Sequence, residues 1–398
     1  LKAVIVCSLI VASCFLIGCW DRTEIEEVGF LIGVGLDPGE EFKKEMKKIE
    51  KEKKQSFDHL INGTYQVAIP SRLIQQEGGG TGDPFFNIET TGLTNFTMMR
   101  QIASKRSRKL NLEHMKNIII NEELVREEHV LEYILDFFLR DHEVRRRTNV
   151  IISQGEASEI LQDKLPLEEM PSISIMHIGE NEKNVAQMLP QQMLGTIQAY
   201  VMEEASFLLP RIVKGPEKDL KMAGAAIFLG KSNHLIGLLG EEDVRGYKLV
   251  IGEYGNGTIE TKFEDEPIVL ESFTADAVVD YERKEGVNHF NVEIKVEGSL
   301  GESWIRQKAI NDMKMFEQLG EAFEKEIRLR ANDIIQKMQK EFGADIFEFN
   351  RKVRQKENRY WKTVEDDWDG KGGVFSKAEV TVNAKVEIRH YMLNEKLN

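Results

Sequence analysis

The sequence predicts an α+β protein: an N-terminal mixed α/β domain followed by a C-terminal antiparallel sheet packed by one long helix. Three observations predict it. In the first half, short apolar runs alternate with amphipathic stretches, the order expected of strands and helices in a mixed domain. In the second half, Phe290, Val292, Ile294 and Val296 alternate with Asn291, Glu293, Lys295 and Glu297. Val380, Val382, Ala384, Val386 and Ile388 likewise alternate with Thr381, Asn383, Lys385, Glu387 and Arg389. A period of two means one buried and one wet face, the pattern of antiparallel sheets. Between these runs, residues 308–342 carry Ile310, Met313, Phe316, Phe323, Ile327, Ile334, Met338 and Phe342 near one helical stripe. That stripe is placed to cover the inner face of the sheet.

The elements follow in order. Val28 to Leu36 reads as a buried strand, stopped by Asp37-Pro38-Gly39. Glu40 to Gln55 mixes Glu and Lys at helical spacings and reads as a solvated excursion. Tyr65 to Ile69 is a strand ended by Pro70. Glu77 to Asp83 is glycine-rich but lacks the Gly-Lys-Ser/Thr ending of a phosphate loop. Thr94 to Leu110 is predicted helical, and Lys105, Arg106, Arg108 and Lys109 suit a helix C-terminus. Ile118-Ile119-Ile120 is a strand, and Glu123 to Leu139 a helix with Val130, Ile134, Phe137 and Phe138 inward. Thr148 to Ser153 is a strand, Glu156 to Leu161 a short helix, and Asn184 to Leu209 a longer helix despite Pro190. The loop-like stretch 211–220 puts a linker at 201–221, between domains at 19–200 and 222–398. Ala223 to Leu229 and His234 to Leu239, parted by Gly230 to Asn233, form a hairpin that opens the second domain.

The formal net charge is −14. Such a balance argues against nucleic-acid binding, which needs clustered Lys and Arg, and against electrostatic adhesion to anionic lipid. The N-terminus supplies another route to a membrane. Lys2 precedes an apolar run from Ala3 to Ile17, which closes on Leu16-Ile17-Gly18-Cys19, the layout of a secretory signal with a cleavage site. This ending resembles a bacterial lipobox. It implies that 1–18 is a signal peptide and that Cys19 carries a diacylglyceryl group, whose two chains hold firmly. All three cysteines, Cys7, Cys14 and Cys19, lie in this stretch, so none is left for a disulfide framework.

No motif in the sequence indicates catalysis. It has no Gly-x-Ser-x-Gly elbow, no Ser-x-x-Lys, no His-Glu-x-x-His and no P-loop. The eight histidines show no metal-ligand spacing. His142, beside Asp141 and Glu143, reads as a solvated helix end. No cofactor is expected. Trp361 and Trp368 flank the acidic Glu365-Asp366-Asp367. Their spacing fits one face of a helix, hence core, while an exposed partner contact is the sharper alternative.

Cys19-Trp20-Asp21-Arg22-Thr23-Glu24-Ile25-Glu26-Glu27-Val28-Gly29-Phe30 resembles the opening of the Ger(x)C family, the lipoprotein C subunits of spore germinant receptors. Further matches follow in order: Arg106 to Leu110 with His114, Phe137 to Asp141 with Glu143, Gly224 to Phe228, Arg245-Gly246, and Tyr360-Trp361-Lys362 with Trp368. The resemblance implies a non-enzymatic subunit, lipid-anchored on the outer face of the cell or inner spore membrane and assembled with two integral-membrane subunits. The alternative is a free-standing solute-binding lipoprotein that serves a transporter, for which two similar α/β lobes are expected.

Overall fold

The computed structural model describes residues 28–39, 60–69, 72, 82–162, 164–165, 167–215, 219–305 and 313–389. The leader with Leu16, Ile17, Gly18 and Cys19, the charged run 40–55 and residues 77–81 lie outside the described residues.

The first sheet holds β1 (Val28–Pro38), β2 (Ile61–Ala68), β3 (Phe85–Gly92), β4 (Lys109–Asn111), β5 (Asn117–Asn121), β6 (Asn149–Ser153), β7 (Phe207–Lys214), β8 (Leu220–Leu229) and β9 (His234–Leu239). Across the sheet the order is β3-β2-β1-β5-β6-β7-β8-β9, and β4 pairs with the start of β1. The middle strands β1, β5, β6 and β7 run parallel, while both flanks are antiparallel. Five helices cover this sheet: α1 (Asn95–Lys105), α2 (Val130–Arg140), α3 (Ala157–Ile160), α4 (Pro171–Glu180) and α5 (Leu194–Glu203). Every residue of β5 and β6 is buried. Ile118, Ile120, Val150 and Ile152 join the core under α1, α2 and α5. Ile119 and Ile151 face the other way, toward Ile160 and Ile175. Burial on both faces is why these strands read as unbroken apolar runs. Gly33 lets α4 approach closely, because a Cβ there would collide with Ser172 Oγ.

The second half contains α6 (Glu241–Ile251), β10 (Thr258–Phe263), β11 (Glu266–Lys284), β12 (Val287–Ser303), α7 (Met313–Lys337), α8 (Phe349–Lys356), α9 (Asn358–Val364) and β13 (Glu379–Ile388). Its sheet has the order β10-β11-β12-β13. The β11–β12 hairpin turns on Glu285 and Gly286, with φ of 51° and 84°. Two positive φ values match the right-handed twist of the long strands. Phe290, Val292, Ile294 and Val296 are buried and share a core with Leu319, Phe323, Ile327 and Ile334 of α7. The predicted sheet under a long helix is therefore present. Ile310 of the expected stripe lies outside the described residues.

Several expectations need correction. The C-terminal sheet is not antiparallel throughout: β13 pairs parallel with β12, from His289↔Glu379 to Gly298↔Ile388. The chain crosses over through α7, α8 and α9 before it returns, so β13 comes back in the same direction. The stretch 201–221 is not a linker. Phe207, Leu208, Leu209 and Ile212 make β7 an inner strand between β6 and β8, and its Pro210 falls where the β7–β8 register shifts. The helix expected over 184–209 is confined to α5. Finally, α1 ends at Lys105 because Arg106 is extended, so Arg106, Arg108 and Lys109 lie beyond the helix end. The β8–β9 hairpin does form, with Ala225 paired to Leu239, but it completes the first sheet. Ala225, Ile227 and Leu239 belong at the same time to the core of the second half.

Candidate functional site

The densest polar chemistry lies where the two halves meet. After α7 the chain turns at Gly343 and Glu348, with φ of 68° and 60°, and carries Asp345 between them. Asp345 is 2% exposed. Its Oδ1 accepts the N–H groups of Phe347 (3.1 Å) and Phe349 (3.2 Å), and its Oδ2 accepts the Asn350 N–H (2.7 Å). These satisfy donors at the start of α8 that no helix bond can reach. Oδ2 also accepts Trp368 Nε1–H at 2.9 Å. Asp369 continues the chain of bonds. Its Oδ1 accepts the Asp345 N–H (2.8 Å), and its Oδ2 accepts the Ser206 hydroxyl (2.6 Å). Ser206 Oγ in turn accepts the Gly230 N–H at 3.0 Å. The network thus runs from the first sheet to α8.

Trp361 and Trp368 lie on this network and not on a free surface. They are 9% and 2% exposed, with rings edge to face at 5.4 Å. Trp368 also meets Phe290 at 6.5 Å, and Phe290 stacks on Phe349 at 4.5 Å. As exposed partner contacts they are therefore corrected: both are core, packed edge to face on each other and, through Trp368, on Phe290. Their rims border a cleft of about 390 Å³. Ion pairs between the halves wall it: Lys231–Asp366 (3.0 Å) and Arg351–Glu203 (3.2 Å). A wider groove of about 690 Å³ opens beyond Arg351, between Tyr200, Tyr247, Phe347 and the exposed Val278. The Tyr200 hydroxyl donates to Glu348 at 3.2 Å, and its ring stacks on Phe207 at 5.5 Å. Burial, then the Glu348 carboxylate, pushes the Tyr200 phenol up to about 12.

Burial, then the Asp369 carboxylate, pushes Asp345 up to about 7, against the pull of its hydrogen-bond donors. Burial also raises Asp369. The sign follows from linkage. Between about pH 4 and about pH 7 the folded chain holds a proton on Asp345 that the unfolded chain has released. This contribution to stability is full below about pH 4 and is lost as pH rises through about 7. Thermal melts across that window are expected to show a falling melting temperature from this site. Asp345→Asn should flatten the slope, and an unchanged slope would refute the assignment.

No signal of spacing marked Asp345, Asp369 or Ser206 in the sequence. The one available hint was an acid inside the apolar run Ala344-Asp345-Ile346-Phe347. His142 is exposed beyond the end of α2, and Glu143 pairs with Lys109 at 3.2 Å. Among the described residues no group of three or more His, Cys, Asp or Glu is placed to hold a metal ion. Among them, too, no helix is long and apolar enough to cross a membrane.

Two sheets locked through one shared core define a fold that has been seen before. The crystal structure of the GerBC protein superposes with a TM-score of 0.59, covering 90% of this chain and 97% of that one at 20% identity, a likeness of fold. Two family models match in sequence order: Spore germination protein N-terminal domain over residues 21–214, and Spore germination B3/GerAC like, C-terminal, over residues 223–392. The chain belongs to this family of spore germination proteins, whose members are C subunits of germinant receptors. Among its relatives in Bacillus subtilis (strain 168), spore germination protein YndF is 28% identical, covering 98% of this chain and 96% of its own. Spore germination protein A3 is 26% identical over 98% of both chains, and spore germination protein B3 is 24% identical over 94% of both.

Proposed function

We propose that this chain is the lipid-anchored C subunit of a nutrient germinant receptor. In this reading residues 1–18 are removed, and a diacylglyceryl group on Cys19 holds the protein on the outer face of the inner spore membrane. It acts there by binding two integral-membrane subunits and turns over no substrate. The observation that carries the reading is the match of both family models, in order, over nearly the whole chain after the leader. The lipobox-like Leu16-Ile17-Gly18-Cys19 supports the anchor. The solute-binding alternative expects two similar lobes, whereas a nine-stranded mixed sheet and a four-stranded sheet under a helix are unlike.

Cys19→Ala is expected to leave an unprocessed precursor without diacylglycerol. Spores carrying it should lose their response to one nutrient class and still germinate with agents that bypass receptors. Mass spectrometry of the wild-type N-terminus checks the first point, and a wild type without lipid at Cys19 would refute the anchor. Enzyme-like turnover of a small molecule by the purified chain, on the order of 1 per second or faster, would refute the non-enzymatic reading.

A further inference from the structure

We propose that the N-terminal edge of the first sheet is a cationic face that rests against anionic phospholipid headgroups. β1, β4, β5 and β6 run parallel, so the chain enters all four strands along one edge of the sheet. Cations mark the entries to β4, β5 and β6. Arg106 and Arg108 lead into β4, which begins at Lys109; Lys116 precedes β5; Arg145 and Arg147 precede β6. The backbone holds these entries side by side. Lys109 is paired with Val28, the Lys116 N–H donates to Ile32 O at 2.7 Å, and the Asn149 N–H donates to Lys116 O at 2.9 Å.

All of these cations except Lys116 are exposed. Among the described residues here the acids are fewer: Glu113, Asp141 and Glu143 stand against Arg106, Arg108, Lys109, Lys116, Arg145, Arg146 and Arg147. Glu143 accepts from Lys109 and from the Leu112 N–H, Asp141 accepts the Glu143 N–H, and Glu113 is exposed. Among the described residues, Arg108, Arg145 and Arg147 have no ion pair, and Arg106 lies 5.8 Å over the Phe86 ring. Helix polarity accounts only for Lys105, the one basic residue in the last turn of α1. Like charges clustered in this way repel one another unless an anion faces them. The net charge of −14 conceals these cations, although Asp21, Glu24, Glu26 and Glu27 precede β1 in the chain.

Chain length selects the anion. Nine Cα-to-Cα steps separate Cys19 from Val28, a reach of at most about 32 Å. If Cys19 carries the lipid, the edge at Lys109 is held within that distance of the bilayer. The acidic remainder is repelled by an anionic surface, while a polybasic edge is attracted within about a Debye length. The edge would then set the tilt of the anchored protein and add a second membrane signal to the acyl chains. This inference rests on the anchor reading, but its test does not need the lipid.

The test uses the chain from residue 20 onward, which contains every described element of both cores, and vesicles of phosphatidylglycerol or phosphatidylcholine. The unlipidated protein should sediment with the anionic vesicles at low salt and not with the neutral ones. The triple variant Arg108→Gln, Arg145→Gln, Arg147→Gln should bind the anionic vesicles about tenfold or more weakly. The control Lys262→Gln, Lys295→Gln, Lys371→Gln removes equal charge from the second half and should stay within about twofold. Equal binding to neutral vesicles, an unaffected triple variant, or an equally weakened control would overturn the proposal. So would a triple variant that keeps its vesicle binding but no longer co-purifies with the membrane subunits, since the edge would then serve a protein contact. Failure of the anchor reading shows separately, as a Cys19 without lipid.

Discussion

Phe323→Asp is expected to unfold the second half of the molecule. Phe323 is fully buried on α7, in the core it shares with Phe290, Val292 and Ile294 of β12. Removing the ring forfeits about 3–5 kcal/mol of packing. The new carboxyl must then stay unpaired in an apolar site, at a further cost of about 2–7 kcal/mol even when it takes up a proton. The total rivals the whole stability of a typical domain, about 5–15 kcal/mol. Loss of the cooperative near-ultraviolet melt, with rapid proteolysis of α7, is the expected result. The core is continuous with Ala225 and Ile227, so hydrogen exchange should also quicken in the β8–β9 hairpin. A variant that melts like the wild type would mean that the stripe does not face a core.

The second large effect is at Trp368. Trp368→Ala removes the edge contacts to Trp361 and Phe290 and the indole donor to Asp345 Oδ2. The cavity costs about 3–5 kcal/mol. The lost indole hydrogen bond adds about 1 kcal/mol, since Oδ2 keeps the Asn350 N–H. Trp361→Ala should cost less, because Trp361 is the more exposed of the two rings. Trp368→Phe separates the two causes, since it keeps most of the ring and loses the N–H. Denaturant midpoints of the three variants give the order. A Trp368→Ala chain with a wild-type midpoint that fails to co-purify with membrane subunits would return the ring to the role of partner contact.

The sequence showed its strands where burial follows a simple period. Ile118 to Ile120 and Phe290 to Val296 were legible because one or both faces are fully apolar. The direction of β13 was not legible, since alternation at Val380 to Ile388 is the same whichever way the neighbour runs. β7 was missed because Pro210 and the nearby Gly215-Pro216 carry loop chemistry, while its partners lie far along the chain. α2 was predicted several residues too early, because the apolar pattern continues through Leu124 and Val125. His129, at φ 65°, blocks the helix there. The seam of Ser206, Asp345 and Asp369 joins residues up to 163 apart, so only the folded chain brings them together. The lipobox-like Leu16-Ile17-Gly18-Cys19 has the opposite character: the resemblance is wholly local and needs no fold to be read.

The β8–β9 hairpin also sets a timetable for biosynthesis. The chain is made N-terminus first, and β7 is complete once residue 214 has emerged. Its outer edge has no neighbour until Leu220–Leu229 follows, and that strand in turn waits for His234–Leu239. During this interval a row of unpaired amide and carbonyl groups, flanked by Phe207, Leu208 and Leu209, is open to any passing strand. A pause or proteolytic cut near residue 215 would therefore release a sticky fragment, not a finished domain. Recombinant fragments designed on that boundary should aggregate, whereas an N-terminal piece extended to Leu239 closes that edge of its own sheet.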